Sequence, residues 1–382
     1  MLTDVFLIDA VRTPIGRAVK GSLVSLRPDD MAAATVRALV ERTGISGDAI
    51  DDLQLGCGYP EGEQGYNLGR RVGLLAGLPS SVPGSTVSRM CASSLQAVRA
   101  GAHSIATGEA NVHLAVGVES ITRVGRTTLP EHRHPDLNGE RYPDVYVSMG
   151  ETAENVAREF DVSRADMDSL ALASHQRAVA AWESGAFAHD VISLVASDGS
   201  VVTRDDGPRA DTSLERIASL KPVFSDDGTV TAGNSCPLSD GAAAVLMASA
   251  RAVDECGLRP RARVLATSVS GVAPEMMGIG PIRAIRTLLD RSGLTMGDID
   301  VVELNEAFAA QVIAVCRDTG IDLDRQLNPH GGAIALGHPF GMTGARLVGA
   351  VVRALEISDG HYGIATLCVG GGQGMAVLIE RV

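Results

Sequence analysis

"CASSLQAVRAGAHSIATGEANVHLAVGVES", Cys91 to Ser120, and "GMTGARLVGAVVRALEISDGHYGIATLCVGGG", Gly341 to Gly372, follow one plan. Each starts with small residues, continues as a helix and closes as a short apolar strand running through glycine. Apolar residues recur at helical spacing at Leu95, Val98, Ala102 and Ile105 in the first, and at Leu347, Val351 and Leu355 in the second. A second matched pair precedes them: "DAIDDLQLGCGYP" from Asp48 and "GDIDVVELNEAFA" from Gly297, each a polar-flanked run entering a strand. Helices alternating with short apolar strands are the pattern of α/β layers around buried sheets. Its repetition predicts an internally duplicated α/β fold.

The middle of the chain has another texture. It opens with a polar, proline-containing loop, "RTTLPEHRHPDLNGERYPDVY", passes into strong helices and ends in turn-rich "SDDGTVTAGNSCPLSDG". Ser163 is placed to cap a helix, with Asp166 three residues on. Met167, Leu170, Ala171, Ala178 and Val179 form its apolar stripe, interrupted at Ser174. "SDGAAAVLMASARAVDECG" then returns to the core as a strand and helix. The expected division is an amino-terminal half of residues 1–120 with 239–260, an inserted loop domain at 121–238 covering a site, and a carboxy-terminal half at 261–382.

With 382 residues, 45% hydrophobic and 21% charged, the chain can bury a large core. Its 43 glycines and 3% aromatics suit close backbone approach in an α/β protein, not a stacking platform for nucleic acid. A net charge of −13, with Lys20 and Lys221 the only lysines, argues against phosphate-backbone binding as well. "MLTDVFLIDAVRTPIGR" lacks a basic leader, no apolar run approaches the roughly 20 residues of a membrane span, and "LIERV" is not a peroxisomal address. A cytoplasmic enzyme is expected. The six cysteines show no paired close spacing, so reduced thiols are expected, with neither a disulfide framework nor a metal site. His132 and His134 read as solvated loop residues, and Cys57, Cys256 and Cys316 as core fillers.

Four segments carry chemistry. Cys91 falls where a helix begins, and free N–H groups with the peptide dipole there favour thiolate over thiol, although taken alone this cysteine reads more simply as a small buried hydrophobe. Asn305 and Glu306 end a strand after "VVEL", His338 sits in the Gly-rich "HGGAIALGHPFGMTGARL", and Cys368 ends a strand and opens "CVGGGQG". Polar groups at strand ends and glycine turns lie where α/β folds build active sites. The glycine run is followed by strand-like "MAVLIERV", which leaves no helix to bind a pyrophosphate.

Taken together, these blocks resemble the thiolase family: a nucleophilic Cys before a Ser-containing helix start, Asn-Glu-Ala-Phe, Gly-His-Pro followed by Gly-x-Thr-Gly, and Cys-x-Gly-Gly-Gly, in order from "DAVRTPIG" at Asp9 to "GGGQGMAVLIE". The resemblance implies two βαβαβαββ-type halves in a five-layer αβαβα arrangement. It also implies an acetyl-CoA acetyltransferase or 3-ketoacyl-CoA thiolase working by reversible ping-pong thiolysis. On it, Cys91 takes the acyl group, His338 receives the Cys91 proton, and Cys368 protonates the departing enolate and then activates coenzyme A. His338 with a water held by Asn305 forms one oxyanion hole, and the backbone N–H groups of Cys91 and Gly370 form the other. Arg209 and Cys236 are implied as CoA contacts, and Met149, Met277 and Phe308 as lining near the pantetheine and acyl groups. No permanently bound cofactor is implied, coenzyme A and acetyl-CoA being substrates, and the assembly expected is a homodimer or homotetramer.

The sequence departs from the family pattern at three places. Ser94 stands where many members carry Gly, Cys236 replaces a Ser that commonly contacts CoA, and Ser148 precedes Met149 where short-chain biosynthetic members carry His. The last favours a degradative enzyme of the β-oxidation type. The alternatives are a biosynthetic acetoacetyl-CoA-forming condensing enzyme and a thiolase-like scaffold that binds acyl-CoA without turnover.

Overall fold

The computed structural model describes residues 3–124 and 133–382. β1 (Val5–Arg12) opens the chain, followed by β2 (Gly16–Arg17), α1 (Pro28–Thr43), β3 (Asp52–Gly56), α2 (Leu68–Leu75), β4 (Gly84–Val87), α3 (Ser93–Thr107) and β5 (Val112–Ser120). Next come α4 (Ile121–Val124), α5 (Met149–Glu159), α6 (Arg164–Ser184), β6 (Leu194–Val195), β7 (Val201–Val202) and α7 (Leu214–Ala218). β8 (Ser239–Ser249) and α8 (Ala250–Glu255) lead into β9 (Ala262–Gly271), α9 (Gly280–Ser292), β10 (Val301–Leu304) and α10 (Ala309–Thr319). The chain closes with α11 (Ala333–Leu336), α12 (Phe340–Ser358), β11 (Tyr362–Val369) and β12 (Gln373–Arg381).

The duplication is visible in the sheet. Among the described residues the long sheet runs β10-β11-β12-β9-β1-β8-β5-β3-β4, with β2 on β8. Outward from the β1/β9 joint the two sides match: β1-β8-β5 and β9-β12-β11 are antiparallel, while β3 on β5 and β10 on β11 are parallel. The joint itself is held by two register pairs, Phe6 with Arg263 and Leu7 with Ala262. Asp51 accepts the N–H groups of Asn111 and Val112, and Asp300 accepts those of His361 and Tyr362, so one carboxylate anchors the start of the neighbouring strand in each half.

Strand alternation builds the layers. Along β5, Leu114, Val116 and Val118 pack toward α1 and α2, while Ala115 faces α3 and α12. Along β11, Ile364 packs with α9 and α10, while Ala365 and Leu367 face α3 and α12. The result is αβαβα, with α3 and α12 shared between the two halves of the sheet. β5 is buried along its whole length, which is why its middle, Leu114 to Val118, reads as a continuous apolar run. Each buried Leu, Ile or Val in these layers contributes roughly 1.5–3 kcal/mol relative to exposure.

The middle segment is strapped to β1. Asp205 forms a buried ion pair with Arg12 at 2.7 Å and accepts from Ile15 N and Trp182 Nε1, while Asp206 accepts from Arg17 N and Ser22 N. Paired and hydrogen-bonded in this way, the buried charge is tolerable. Ser163 caps α6 through the Asp166 N–H, and Met167, Leu170, Ala171 and Ala178 are buried, whereas Val179 is half-buried. The break in the stripe has a cause: Ser174 Oγ donates to Glu306 at 2.7 Å. Cys57 and Cys316 are core residues as expected, but Cys256 is exposed, because it lies at the carboxy-terminal cap of the short surface helix α8. His132 lies outside the described residues, and the exposed His134 accepts the Asp136 N–H through Nδ1. Among the described residues no helix is long and apolar enough to cross a membrane.

Candidate active site

The two central helices carry the nucleophile candidate and the histidine at their amino-terminal ends. Cys91 is not in the first turn of its helix; it precedes Ala92, the N-cap of α3, and follows Met90, whose φ of +45° lies in the left-handed region. Ser93 secures this turn, accepting from Arg89 N at 3.0 Å and donating to Met90 O at 2.6 Å. The expected thiolate does not follow. Burial pushes the Cys91 thiol up to about 11, against the backbone N–H groups of Gly370 and of Cys91 itself, which pull it down. Desolvation here outweighs the helix end. The opposing glycine run needs its composition, since Gly371 and Gly372 have φ of +83° and +80°.

Three thiols share this neighbourhood. Burial pushes Cys236 up to about 12 and Cys368 well above the usual thiol range, and in each case the Cys91 sulfur adds to the shift. Cys368 is buried with Met277, Ala307 and Phe308, and Met149 packs against the same apolar cluster. Cys236 is fixed by its N–H on Ala307 O at 3.0 Å.

His338 is buried, and burial, with Arg346 nearby, depresses it to about 3, so its ring is neutral. Thr343 Oγ1 donates to Pro339 O at 2.9 Å and therefore accepts at 2.7 Å from His338 Nδ1. That network assigns the proton to Nδ1 and leaves Nε2 as the basic atom. Asn305 Nδ2 lies 3.3 Å from Nε2, and Asn305 Oδ1 is buried with no partner among the described residues. Thiol and neutral imidazole are thus the resting forms.

Glu119 joins the two halves around this site. Its carboxylate accepts from the N–H groups of Gly58 (2.7 Å), Tyr59 (3.2 Å) and Gly341 (2.9 Å) and from Gln64 Nε2 (2.7 Å). Burial raises its pKa while these donors lower it. A Cβ at Gly341 would sit 2.2 Å from Val118 O, so the start of α12 lies directly on β5.

A cleft of about 570 Å³ reaches Cys236 and is lined by Arg17, Lys20, Arg209 and Arg216 together with Leu220, Val223 and Phe224. Arg209 is exposed there, its N–H donating to His175 Nδ1 at 3.3 Å. Sequence reading singled out Arg209 and Cys236 but not Arg17, Lys20 or Arg216, nor Thr343, Glu119 and Gln311. Lys20, one of two lysines, carried a compositional hint, and Thr343 lies five residues after His338. Glu119 and Gln311 gave none, because their partners are distant in the chain.

A thiol beneath two backbone N–H donors, with a neutral imidazole and a second thiol at hand, is apparatus for covalent acyl transfer. The arginines of the cleft suit an acyl group carried on a phosphorylated handle. The family model described as the thiolase N-terminal domain matches residues 5–251, and that of the thiolase C-terminal domain matches residues 258–381. The beta-ketoadipyl-CoA thiolase of Pseudomonas putida is 46% identical, with 100% of each chain covered. The 3-ketoacyl-CoA thiolase of Bacillus subtilis is 42% identical over 99% of this chain and 100% of that one. The structure of human mitochondrial 3-ketoacyl-CoA thiolase in complex with CoA covers 100% of this chain and 98% of its own, at 36% identity and a TM-score of 0.91. The chain belongs to the thiolase family, and it is a CoA-dependent acyltransferase of that family.

Proposed function

We propose that the protein cleaves a short 3-ketoacyl-CoA reversibly to acetyl-CoA and a shortened acyl-CoA, with an acyl chain ending in a carboxylate as its preferred substrate. The observation that carries the reading is the sulfur pair: Gly370 N–H is directed at Cys91, and the Cys91 sulfur lies close enough to Cys368 to oppose a second negative charge there. The carboxylate preference rests on the beta-ketoadipyl-CoA thiolases among the relatives.

In the cleavage direction Cys91 Sγ adds to the ketone carbonyl as its proton passes to His338 Nε2. The carbon–carbon bond then breaks, leaving an acyl thioester on Cys91 and the enolate of acetyl-CoA. Cys368 gives its proton to the enolate carbon. The Cys368 thiolate next takes the proton of a coenzyme A thiol, which attacks the Cys91 thioester and releases the shortened acyl-CoA, while the departing Cys91 sulfur recovers its proton from His338 Nε2. The Cys91 and Gly370 N–H groups stabilise the oxyanion of the acyl thioester, and His338 with a water on Asn305 stabilises the enolate oxygen. The unpaired Asn305 Oδ1 supports this placement of a water. Arg17, Lys20, Arg209 and Arg216 take the phosphates of CoA, Cys236 lies along its pantetheine arm, and Met149, Met277 and Phe308 line the space around the reacting carbons.

The free thiols suit a reducing compartment, and we place the enzyme in the cytoplasm. A second copy fits the outer edge of β4, the last strand of the sheet path, whose four residues are only half-buried; light scattering of the purified protein reports the dimer or tetramer.

Loss of 3-ketoacyl-CoA absorbance with added CoA tests the activity on 3-oxoadipyl-CoA, on 3-oxohexanoyl-CoA, which has the same length without the carboxylate, and on acetoacetyl-CoA. Faster turnover of the adipyl substrate is expected, and equal rates on the two six-carbon chains would remove the carboxylate preference. No turnover on any of them, by folded protein that still binds CoA, would leave a binding scaffold. After brief exposure to acetyl-CoA, mass spectrometry should locate the acetyl adduct on Cys91; an adduct found only elsewhere overturns the assignment of roles.

A further inference from the structure

We propose that Gln311 is a positioning residue for the second thiol: its side-chain amide holds the Asn305 carbonyl with one N–H and directs the other at Cys368 Sγ, stabilising the Cys368 thiolate. The inference rests on the thiolase reading above and assigns a role to a residue outside the sulfur, imidazole and asparagine groups of that reading.

Gln311 lies in the first turn of α10 and exposes no surface. Its amide has two possible settings. In one, oxygen faces the Asn305 carbonyl and nitrogen faces the Val312 N–H, so acceptor meets acceptor and donor meets donor. In the other, Oε1 accepts from Val312 N at 3.0 Å and Nε2 donates to Asn305 O at 3.0 Å. In the first setting the oxygen has only the weak Cys368 S–H as donor, at 3.5 Å, and the nitrogen has no acceptor; the second gives both atoms strong partners. In that setting the atom 3.5 Å from Cys368 Sγ is the amide nitrogen, whose remaining hydrogen has the sulfur as its acceptor.

The side chain is held from behind. A Cβ at Gly278 would lie 2.6 Å from Gln311 Cβ, so the turn at Pro274–Ile279 sits against its stem. The same amide therefore connects the two parts of the site. Asn305 presents its side chain to His338 while its backbone carbonyl is tied through Gln311 to Cys368.

The chemistry needs such a donor. When Cys368 Sγ–H passes its proton to the enolate carbon, the S–H bond breaks, the C–H bond forms and a negative sulfur remains in a buried site. Burial and the sulfurs of Cys91 and Cys236 all oppose that charge. An N–H donor favours thiolate over thiol, because hydrogen bonds to charged groups are the stronger ones.

Full-length Gln311→Met and Gln311→Glu test the proposal, each made in a Cys91→Ala background so that iodoacetamide reads Cys368 without competition from the first thiol. Peptide mapping across a pH series gives the midpoint of Cys368 alkylation. The Met variant should raise that midpoint by about one pH unit, and the near-isosteric Glu variant, which puts oxygen where the N–H was, by more. With Cys91 present, thiolysis by the Met variant should fall about tenfold in kcat at neutral pH and recover as pH rises. An unmoved Cys368 midpoint in the folded variants, whatever their activity, would reduce Gln311 to a packing residue and overturn the proposal. The midpoint needs no turnover, so absence of activity in the unsubstituted enzyme would count against the thiolase reading and leave this comparison intact.

Discussion

The base role proposed for His338 requires its proton to stay on Nδ1, and a single hydroxyl keeps it there. Thr343 Oγ1 has committed its own hydrogen to Pro339 O, so it can only accept from the ring. Thr343→Val removes that acceptor without changing the bulk of the side chain, freeing the ring to exchange tautomers and to rotate. We expect kcat for thiolysis to fall about 10- to 100-fold, with KM for CoA changed less than about twofold and most of the loss restored in Thr343→Ser. A rise in KM at constant kcat would place Thr343 in binding instead. Cys236 offers a second single-atom test. Burial lifts its thiol to about 12, so in the proposed contact with CoA it acts as a neutral S–H, a weak donor. Cys236→Ser supplies a stronger partner and should lower KM for CoA by about two- to tenfold, on the order of 0.4–1.4 kcal/mol; an unchanged or higher KM would mean that the cleft does not use this atom.

Between elements, the decisive contacts are those that fix the amino-terminal end of α12 against β5 and α3. A Cβ at Gly344 would meet Leu95 N at 2.2 Å, and Ser94 Oγ accepts the Ala345 N–H at 2.9 Å, so the two central helices cross almost backbone to backbone. Ser94 thereby has a use that its departure from the family's glycine did not suggest. Glu119 completes the joint, because one carboxylate at the end of β5 holds both the Gly58–Tyr59 loop and the first turn of α12. Every group bonded to it here donates. Glu119→Gln places an NH₂ among those donors and leaves at least one of them unpaired. Stability should drop by about 2–4 kcal/mol, measured by urea unfolding, and kcat by at least about tenfold as the Gly58–Tyr59 loop and the first turn of α12, just after His338, lose their common anchor. A variant as stable and active as the parent would show that β5 and α12 are held by packing alone.

At the scale of the whole molecule, what the sequence could reveal was what repeats. Asp51 and Asp300, the paired helix stripes and the strands that follow them are local patterns written twice, so duplication was legible, as were the strand ends that carry Asn305 and Cys368, while the five-layer order came only with the family resemblance. What stayed hidden depends on burial and on partners remote in the chain. The Cys91 position suggested a helix end that lowers a thiol's pKa, yet its burial between layers contributed by both halves raises it to about 11. His175 shows the same rule acting on stability. It is buried on α6 beside the cleft, and burial, with Arg209 and Arg17 adding to it, depresses its pKa to about 4. In the unfolded chain a histidine binds a proton near pH 6.5. The neutral ring's contribution is therefore complete above pH 6.5 and is lost as pH falls toward 4, at about 1.4 kcal/mol per pH unit for one proton. His338 acts in the same sense, down to about 3. Asp190, raised by burial to about 6, acts in the opposite sense: its contribution is present below the ordinary carboxylate pKa and lost as pH rises through 6. These opposed slopes partly cancel in the intact protein, so the acid sensitivity of one group is visible only by difference. Gln can accept the Arg209 N–H without titrating, which makes His175→Gln the informative variant. Between pH 7 and pH 5 the unsubstituted protein should lose about 2 kcal/mol more unfolding free energy than His175→Gln, from urea midpoints at the two pH values. Equal losses would mean that the folded protein protonates His175 as readily as the unfolded chain does, and that α6 does not seal the ring from water.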